Sequence, residues 1–227
     1  MISKLVESAQ AAVADIQHGA TIMIGGFGSA GMPAELIAAL IAQGASKLTV
    51  ISNNAGNGDS GLAKLLQARR VRKIICSFPR QTDSYVFDAL YRAGEIELEL
   101  VPQGNLVERI RAAGAGIGGF FTPTGYGTLL GVGKESRLIN GRHYLLEHPI
   151  HADVALIKAS KADRWGNLVY RKTARNFGPV MAIAAACTIA QVDQIVALGE
   201  LDPESIVTPG VFVHRVVSSP QKGADQP

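Results

Sequence analysis

Cysteine is nearly absent. Cys76 and Cys187 are the only two in 227 residues, too few for a disulfide framework or a four-cysteine zinc site. Both sit among apolar neighbours and read as small buried hydrophobes. Excess charge of one sign is scarce as well: 22 Lys and Arg against 19 Asp and Glu leave a formal charge of +3. A nucleic-acid binder normally carries a dense basic stripe, which this composition does not supply. Long hydrophobic runs are missing too. The longest uncharged apolar stretch, 180–190, is about half of the ~20 residues that span a bilayer. The N-terminal segment lacks a signal-peptide pattern and instead sets Leu5, Val6, Ala9, Val13 and Ile16 at helical spacing. Five histidines, His18, His143, His148, His151 and His214, form neither H-x-x-x-H nor a partner for a Gly-x-Ser-x-Gly motif. Metal-site and serine-hydrolase readings are excluded on that ground. The chain is expected to be soluble and cytoplasmic, without a metal, a nucleic-acid partner or a membrane.

Apolar residues make up 47% and charged ones 18%, the balance of a globular chain that buries its own core. Short apolar runs predict strands at 21–24, 48–51, 73–77, 95–100, 154–158 and 211–217. Helical spacing predicts helices at 33–43, 62–68, 85–92 and 107–112. The first of these helices opens on Pro33, stops at Gly44, and presents Leu36, Ile37, Leu40 and Ile41 to a core. Glu95, Glu97 and Glu99 alternate with Ile96, Leu98 and Leu100, so that strand should have one wet face. Residues 142–146 suggest a small β excursion. The alternation points to an α/β fold with an open, largely parallel sheet flanked by helices. It is read as one domain over 1–217, followed by a disordered polar tail at 218–227.

Four segments carry candidate chemistry. Gly25-Gly26-Phe27-Gly28-Ser29-Ala30-Gly31 joins a strand to a helix, where glycine backbone turns sharply and its N–H groups can approach an anion at the helix N-terminus. Gly26, Gly28 and Gly31 satisfy G-x-G-x-x-G, yet no Asp or Glu occurs between Glu35 and Asp59. A nicotinamide-dependent oxidoreductase would need that acid for the ribose hydroxyls. Asn53-Asn54-Ala55-Gly56-Asn57-Gly58 follows the second strand, and its neutral amides suit a carbonyl or thioester better than a metal. Gln103, in Pro102-Gln103-Gly104, offers an amide N–H to a developing oxyanion. The eight glycines within 114–133 mark close backbone approach, a ligand or a lid. Each segment alone also fits an ordinary turn. The cations Arg69, Arg70, Arg72 and Lys73 read as solvated surface.

Together these motifs resemble the family I coenzyme A transferases, A-subunit type, from 22 to about 217. The resemblance is carried by Gly25-Gly26-Phe27 with Gly31-x-Pro33, Ser52-Asn53-Asn54-Ala55-Gly56, Pro102-Gln103-Gly104 and 122–128. It continues in Ala152-Asp153-Val154-Ala155-Leu156, Gly166-Asn167 and Ala174-Arg175-Asn176-Phe177. His18 departs from the Asp or Asn that the family places before this glycine. The resemblance implies ping-pong transfer of coenzyme A (CoA) between carboxylic acids through a glutamyl-CoA thioester. In the family that glutamate lies in a Ser-Glu-Asn-Gly stretch of the B subunit, and no Ser-Glu-Asn occurs here. A hetero-oligomer with a B subunit is therefore expected, with CoA as substrate and no tightly bound cofactor. The resemblance makes 25–31 the CoA-binding loop and puts Gln103 near the reacting thioester.

The stretch Cys76-Ser77-Phe78-Pro79-Arg80-Gln81 looks like the 3-oxoadipate branch, which takes succinyl-CoA as donor in the β-ketoadipate pathway. Branches acting on acetoacetate or short fatty acids carry a small neutral pair there. Asn53, Asn54 and Arg80 are then the expected acid-binding residues, with Arg80 matching a second carboxylate. Two alternatives remain: the corresponding half of a succinyl-CoA:acetoacetate transferase, and a non-catalytic acyl-CoA-binding subunit.

Overall fold

The computed structural model describes residues 2–219. Helix α1 (Ala9–Val13) precedes strand β1 (Thr21–Ile24). Then α2 (Ala34–Gln43), β2 (Leu48–Ile51), α3 (Leu62–Gln67), β3 (Val71–Cys76), α4 (Tyr85–Arg92), β4 (Glu97–Leu100) and α5 (Gln103–Gly114) alternate. A small antiparallel sheet of β5 (Phe120–Thr122), β6 (Ser136–Ile139) and β7 (Arg142–Glu147) interrupts the pattern. The chain closes with β8 (Ala152–Ala162), β9 (Leu168–Val169), α6 (Gly178–Ala184), β10 (Ala185–Ile195) and β11 (Arg215–Ser218).

The main sheet runs β11-β10-β8-β1-β2-β3-β4 with every neighbouring pair parallel, and β9 folds back antiparallel on β8. Period-two alternation sorts the core into two layers. Ile22, Ile24, Val50 and Ile74 pack with residues of α1 to α4. Met23, Ile51, Ile75 and Ala155 pack on the other face with Leu106 and Ile110 of α5 and Met181 of α6. Each fully buried side chain of this size contributes about 1.5–3 kcal/mol. From β1 the strand order runs outward in one direction through β2, β3 and β4, and in the other through β8, β10 and β11. The switch point lies between β1 and β8, where loops leaving the carboxyl ends diverge and leave a crevice.

The α/β class, the parallel sheet and the β excursion agree with the sequence expectation. Several elements differ. The amphipathic N-terminus forms only the five residues of α1, because Leu5 bridges to Val216 at the sheet edge instead. The strand expected at 211–217 begins at Arg215, after a 3₁₀ turn at Gly210–Phe212. Helix α5 starts at Gln103, four residues before the apolar pattern does. No sequence pattern announces β10, since its Ala-rich run has no period. Ser218 closes β11 and the Ser219 amide donates to the Val192 carbonyl, so 218 and 219 of the tail expected at 218–227 belong to the sheet edge; 220–227 lie outside the described residues. Among the described residues no helix is long and apolar enough to cross a membrane, and no group of His, Cys, Asp and Glu is arranged to hold a metal.

Candidate active site

Three of the expected segments converge at the carboxyl edge of the sheet. Asn53 leaves the end of β2 only 2% exposed. Its Oδ1 accepts hydrogen bonds from Gln103 Nε2 (2.7 Å) and Ser77 Oγ (2.9 Å), and its carbonyl accepts from the Ser77 and Phe78 amides. With Oδ1 so engaged, Asn53 is fixed in one orientation. Gln103, at the first position of α5, is held by one N–H, and among the described residues its second N–H and its Oε1 are left for another partner. Asn54 turns the chain through a bond from the Gly56 amide to its Oδ1 (2.9 Å), while its buried Nδ2 has no partner among the described residues. The asparagines thus divide: Asn53 orients Gln103, and Asn54 builds the turn behind it.

The glycine segment is not the helix-terminus cradle that its position suggests. Phe27 and Ala30 exchange backbone hydrogen bonds (3.0 and 3.2 Å), making a tight hairpin with Gly28 and Ser29 at its tip. The Gly25 amide donates to Leu156 O, and the Gly26 amide donates to Asn176 Oδ1 (3.2 Å). Helix α2 is capped from elsewhere: Gln191 Oε1 accepts from the Glu35 and Leu36 amides. Glu35 adds a negative charge to that first turn. Among the described residues the amides of Gly28, Ser29 and Gly31 are left without a backbone or side-chain acceptor.

Two cavities flank this hairpin. One of about 520 Å³ is lined by Phe27, Gln103, Asn105, Phe120, Asn176 and Phe177. The other, about 480 Å³, is lined by Gly28, Ser29, Asn54, Asn57, Ser60 and Lys158. Gln103 therefore lines the same cavity as the hairpin's exposed Phe27. Arg80 is placed elsewhere: its Nε meets Asp88 Oδ1 at 2.6 Å, its guanidinium lies over the Tyr91 ring, and its side chain is 55% exposed. The structure does not bring it to Asn53 and Gln103.

The ionisable surroundings support α5 rather than supply a nucleophile. Burial opposes ionisation of Glu99, yet Lys73 and Arg109 outweigh it and hold the carboxyl below its ordinary range. Glu99 thus belongs to an ion-pair network, not to the freely solvated face expected for β4. Glu147, 2% exposed, accepts from Asn105 Nδ2 (3.0 Å) and Lys134 Nζ (2.6 Å), which ties the glycine-rich segment before it to α5. Burial pushes the Cys76 thiol up to about 12, so it remains an inert core side chain. Glu108 lines the larger cavity but pairs with Arg111 at the surface. Sequence patterns miss Ser77 and Gln191, and give Asn176 no role of its own, because their partners lie far off in the chain. Asn176 lies 150 residues from the amide it holds.

The coenzyme A transferase family profile matches residues 6–219. The A subunit of the 3-oxoadipate CoA-transferase of Pseudomonas putida is 71% identical over 96% of this chain and 94% of its own. The A subunit of the succinyl-CoA:3-ketoacid coenzyme A transferase of Xanthomonas campestris pv. campestris is 50% identical over 99% of this chain and 93% of its own. Among solved structures, an acyl-CoA transferase from Escherichia coli O157:H7, captured as a thioester complex with CoA, superposes with a TM-score of 0.85 at 26% identity. The match covers 99% of this chain and 52% of that one.

Proposed function

The chain belongs to the coenzyme A transferase family as an A-subunit chain, and from that premise we propose that it transfers CoA from succinyl-CoA to 3-oxoadipate together with a B subunit. The observation that carries this is the Gln103 amide, oriented by Asn53 at the carboxyl edge and keeping one N–H for a substrate oxygen. In the proposed ping-pong route the partner's glutamate attacks the succinyl-CoA carbonyl and releases CoA thiolate, leaving an acyl-glutamyl anhydride. The thiolate then attacks the glutamyl carbonyl, expelling succinate and forming the enzyme thioester. 3-Oxoadipate repeats the sequence in reverse and leaves as its CoA thioester. Every tetrahedral adduct puts negative charge on a carbonyl oxygen, the charge that a fixed amide donor stabilises.

A nucleophile on a partner is supported by the lack of a Ser-Glu-Asn stretch here. It is also supported by the length of the E. coli transferase, of which this chain spans about half. CoA is then a substrate, with 25–31 as its binding loop and the complex working in the cytoplasm. Asn53, Asn54 and Arg80 are the proposed acid-binding residues. Arg80 must leave Asp88 to reach a second carboxylate. A surface pair of this kind contributes about 0–1 kcal/mol, against about 1.5–3 kcal/mol for a new hydrogen bond to a charged group. The Arg80–Asp88 pair is also the observation that favours the second reading, a transferase for acetoacetate, which has no second carboxylate to anchor. The test is to co-express the chain with its B subunit, then compare succinyl-CoA-dependent transfer to the two acids. Preference for 3-oxoadipate supports the first reading, and preference for acetoacetate the second.

A further inference from the structure

CoA carries a diphosphate and a 3′-phosphate, and the glycine hairpin has nothing to neutralise them. It contains no cation, and the helix end behind it is occupied by Gln191 and flanked by Glu35. The cationic cluster 69–73 stands at the amino end of β3, away from the carboxyl edge, and each of its cations is engaged with a neighbour. Arg69 pairs with Glu95, Lys73 with Glu97 and Glu99, while Arg70 donates to Gly44 O and Arg72 to Thr49 Oγ1. Lys158 pairs with Asp193. Arg171, Lys172 and Arg175 differ. All three are exposed, and among the described residues none forms an ion pair.

Their segment is locked onto the hairpin. Asn176 accepts from the Gly26 amide and donates from Nδ2 to Ala30 O (2.9 Å) and to Thr173 O (2.8 Å), so one side chain fastens both pieces. Gly31 has a φ of +74°, and a Cβ there would lie 2.5 Å from the Ala174 carbonyl oxygen. The turn at Lys172–Arg175 is reached through Lys172 itself at a φ of +50°, a conformation that costs a lysine energy and persists only where its surroundings hold it. Three unneutralised cations are thereby held at the flank of the hairpin, and Asn176 and Phe177 continue from them into the cavity that holds Gln103.

We propose that Arg171, Lys172 and Arg175 bind the phosphates of CoA's 3′-phospho-ADP portion, while its thiol end lies in the cavity at Gln103. The assignment rests on the transferase reading for its ligand, but not on turnover. Guanidinium and ammonium groups suit phosphate oxygens, and three neutralised at once should weaken binding by about tenfold or more.

The test titrates the assembled A/B complex with CoA and with adenosine 3′,5′-bisphosphate, which carries phosphates but no pantetheine. It compares wild type with the triple variant Arg171→Gln, Lys172→Gln, Arg175→Gln. The expected result is an affinity for both ligands at least about tenfold weaker, with thermal stability and assembly unchanged. Unchanged CoA affinity overturns the proposal. So does loss of assembly with the B subunit, which would give these cations to the partner's surface. Transfer by the wild-type complex is measured separately, and a complex that binds CoA through these residues yet transfers nothing would sink the transferase reading alone.

Discussion

Gln103 Nε2 donates to Asn53 Oδ1 across 2.7 Å, joining the ends of two strands, β2 and β4, that are separated in the sheet by β3. Ser77, which follows β3, donates to the same oxygen. Three successive strand ends therefore fix one amide, and the orientation of Gln103 does not depend on substrate.

Removing the amide should cost transition-state stabilisation more than binding. Gln103→Ala in the A/B complex is expected to lower kcat by about 10²-fold, the scale of one lost oxyanion donor. Asn53→Ala should lower it by less, since the donor remains but loses its orientation. The double variant should fall short of the product of the two, because the residues act as one unit. Independent, multiplicative losses would show that Asn53 does not act through Gln103.

Glycines 28 and 31 should separate ligand approach from loop packing. A Cβ at Gly28 points into open space, whereas one at Gly31 runs into Ala174. Gly28→Ala is expected to raise KM for the CoA donor with assembly intact, although its φ of +59° also costs alanine about 1 kcal/mol. Gly31→Ala should instead lower the melting temperature, as the hairpin is pushed off residues 173–176. Equal KM values for Gly28→Ala and wild type would confine the hairpin to a structural role.

Arg80→Gly tests the choice of acid. Opening the Asp88 pair leaves a net gain of about 0.5–3 kcal/mol for a bound second carboxylate, a factor of roughly two to 160. The specificity constant for 3-oxoadipate should fall by that factor, and that for acetoacetate should stay nearly unchanged. A parallel fall for both acids, or none, would remove Arg80 from the acid site.

The network under α5 should respond to acid. Glu99 has a folded pKa below its ordinary value, so its contribution to stability is complete above that ordinary value and is lost as pH falls through the folded one. Wild type should therefore exceed Glu99→Gln in melting temperature at pH 7, with the gap closing as the pH is lowered through the folded pKa of Glu99. A gap that persists in acid would assign the difference to packing rather than to charge.

The sequence is most legible where pattern is local. Ile22, Met23 and Ile24 announce a strand buried on both faces, and Leu36, Ile37 and Leu40 a helix with one apolar stripe. Gln103 and Asn53 fall at strand ends for the same reason. Alanine gives no such guidance in β10, where Ala185, Ala186 and Ala190 fit helix and strand alike. The hairpin form of the glycine segment is not legible in the sequence, because Gln191 and Asn176, side chains more than a hundred residues away, cap the helix behind it and hold its backbone. Arg80 is likewise read without Asp88, whose carboxylate only the folded α4 brings alongside.

The assignment of the nucleophile to the B subunit meets its most direct test in intact-mass spectrometry of the A/B complex after mixing with succinyl-CoA. The account predicts a CoA adduct on the B subunit, lost on adding the acceptor acid, and this chain at its unmodified mass. Glu108 is the carboxylate of this chain that lines the Gln103 cavity. An adduct carried by this chain and abolished by Glu108→Gln would contradict the account, and so would turnover by this chain with no B subunit present.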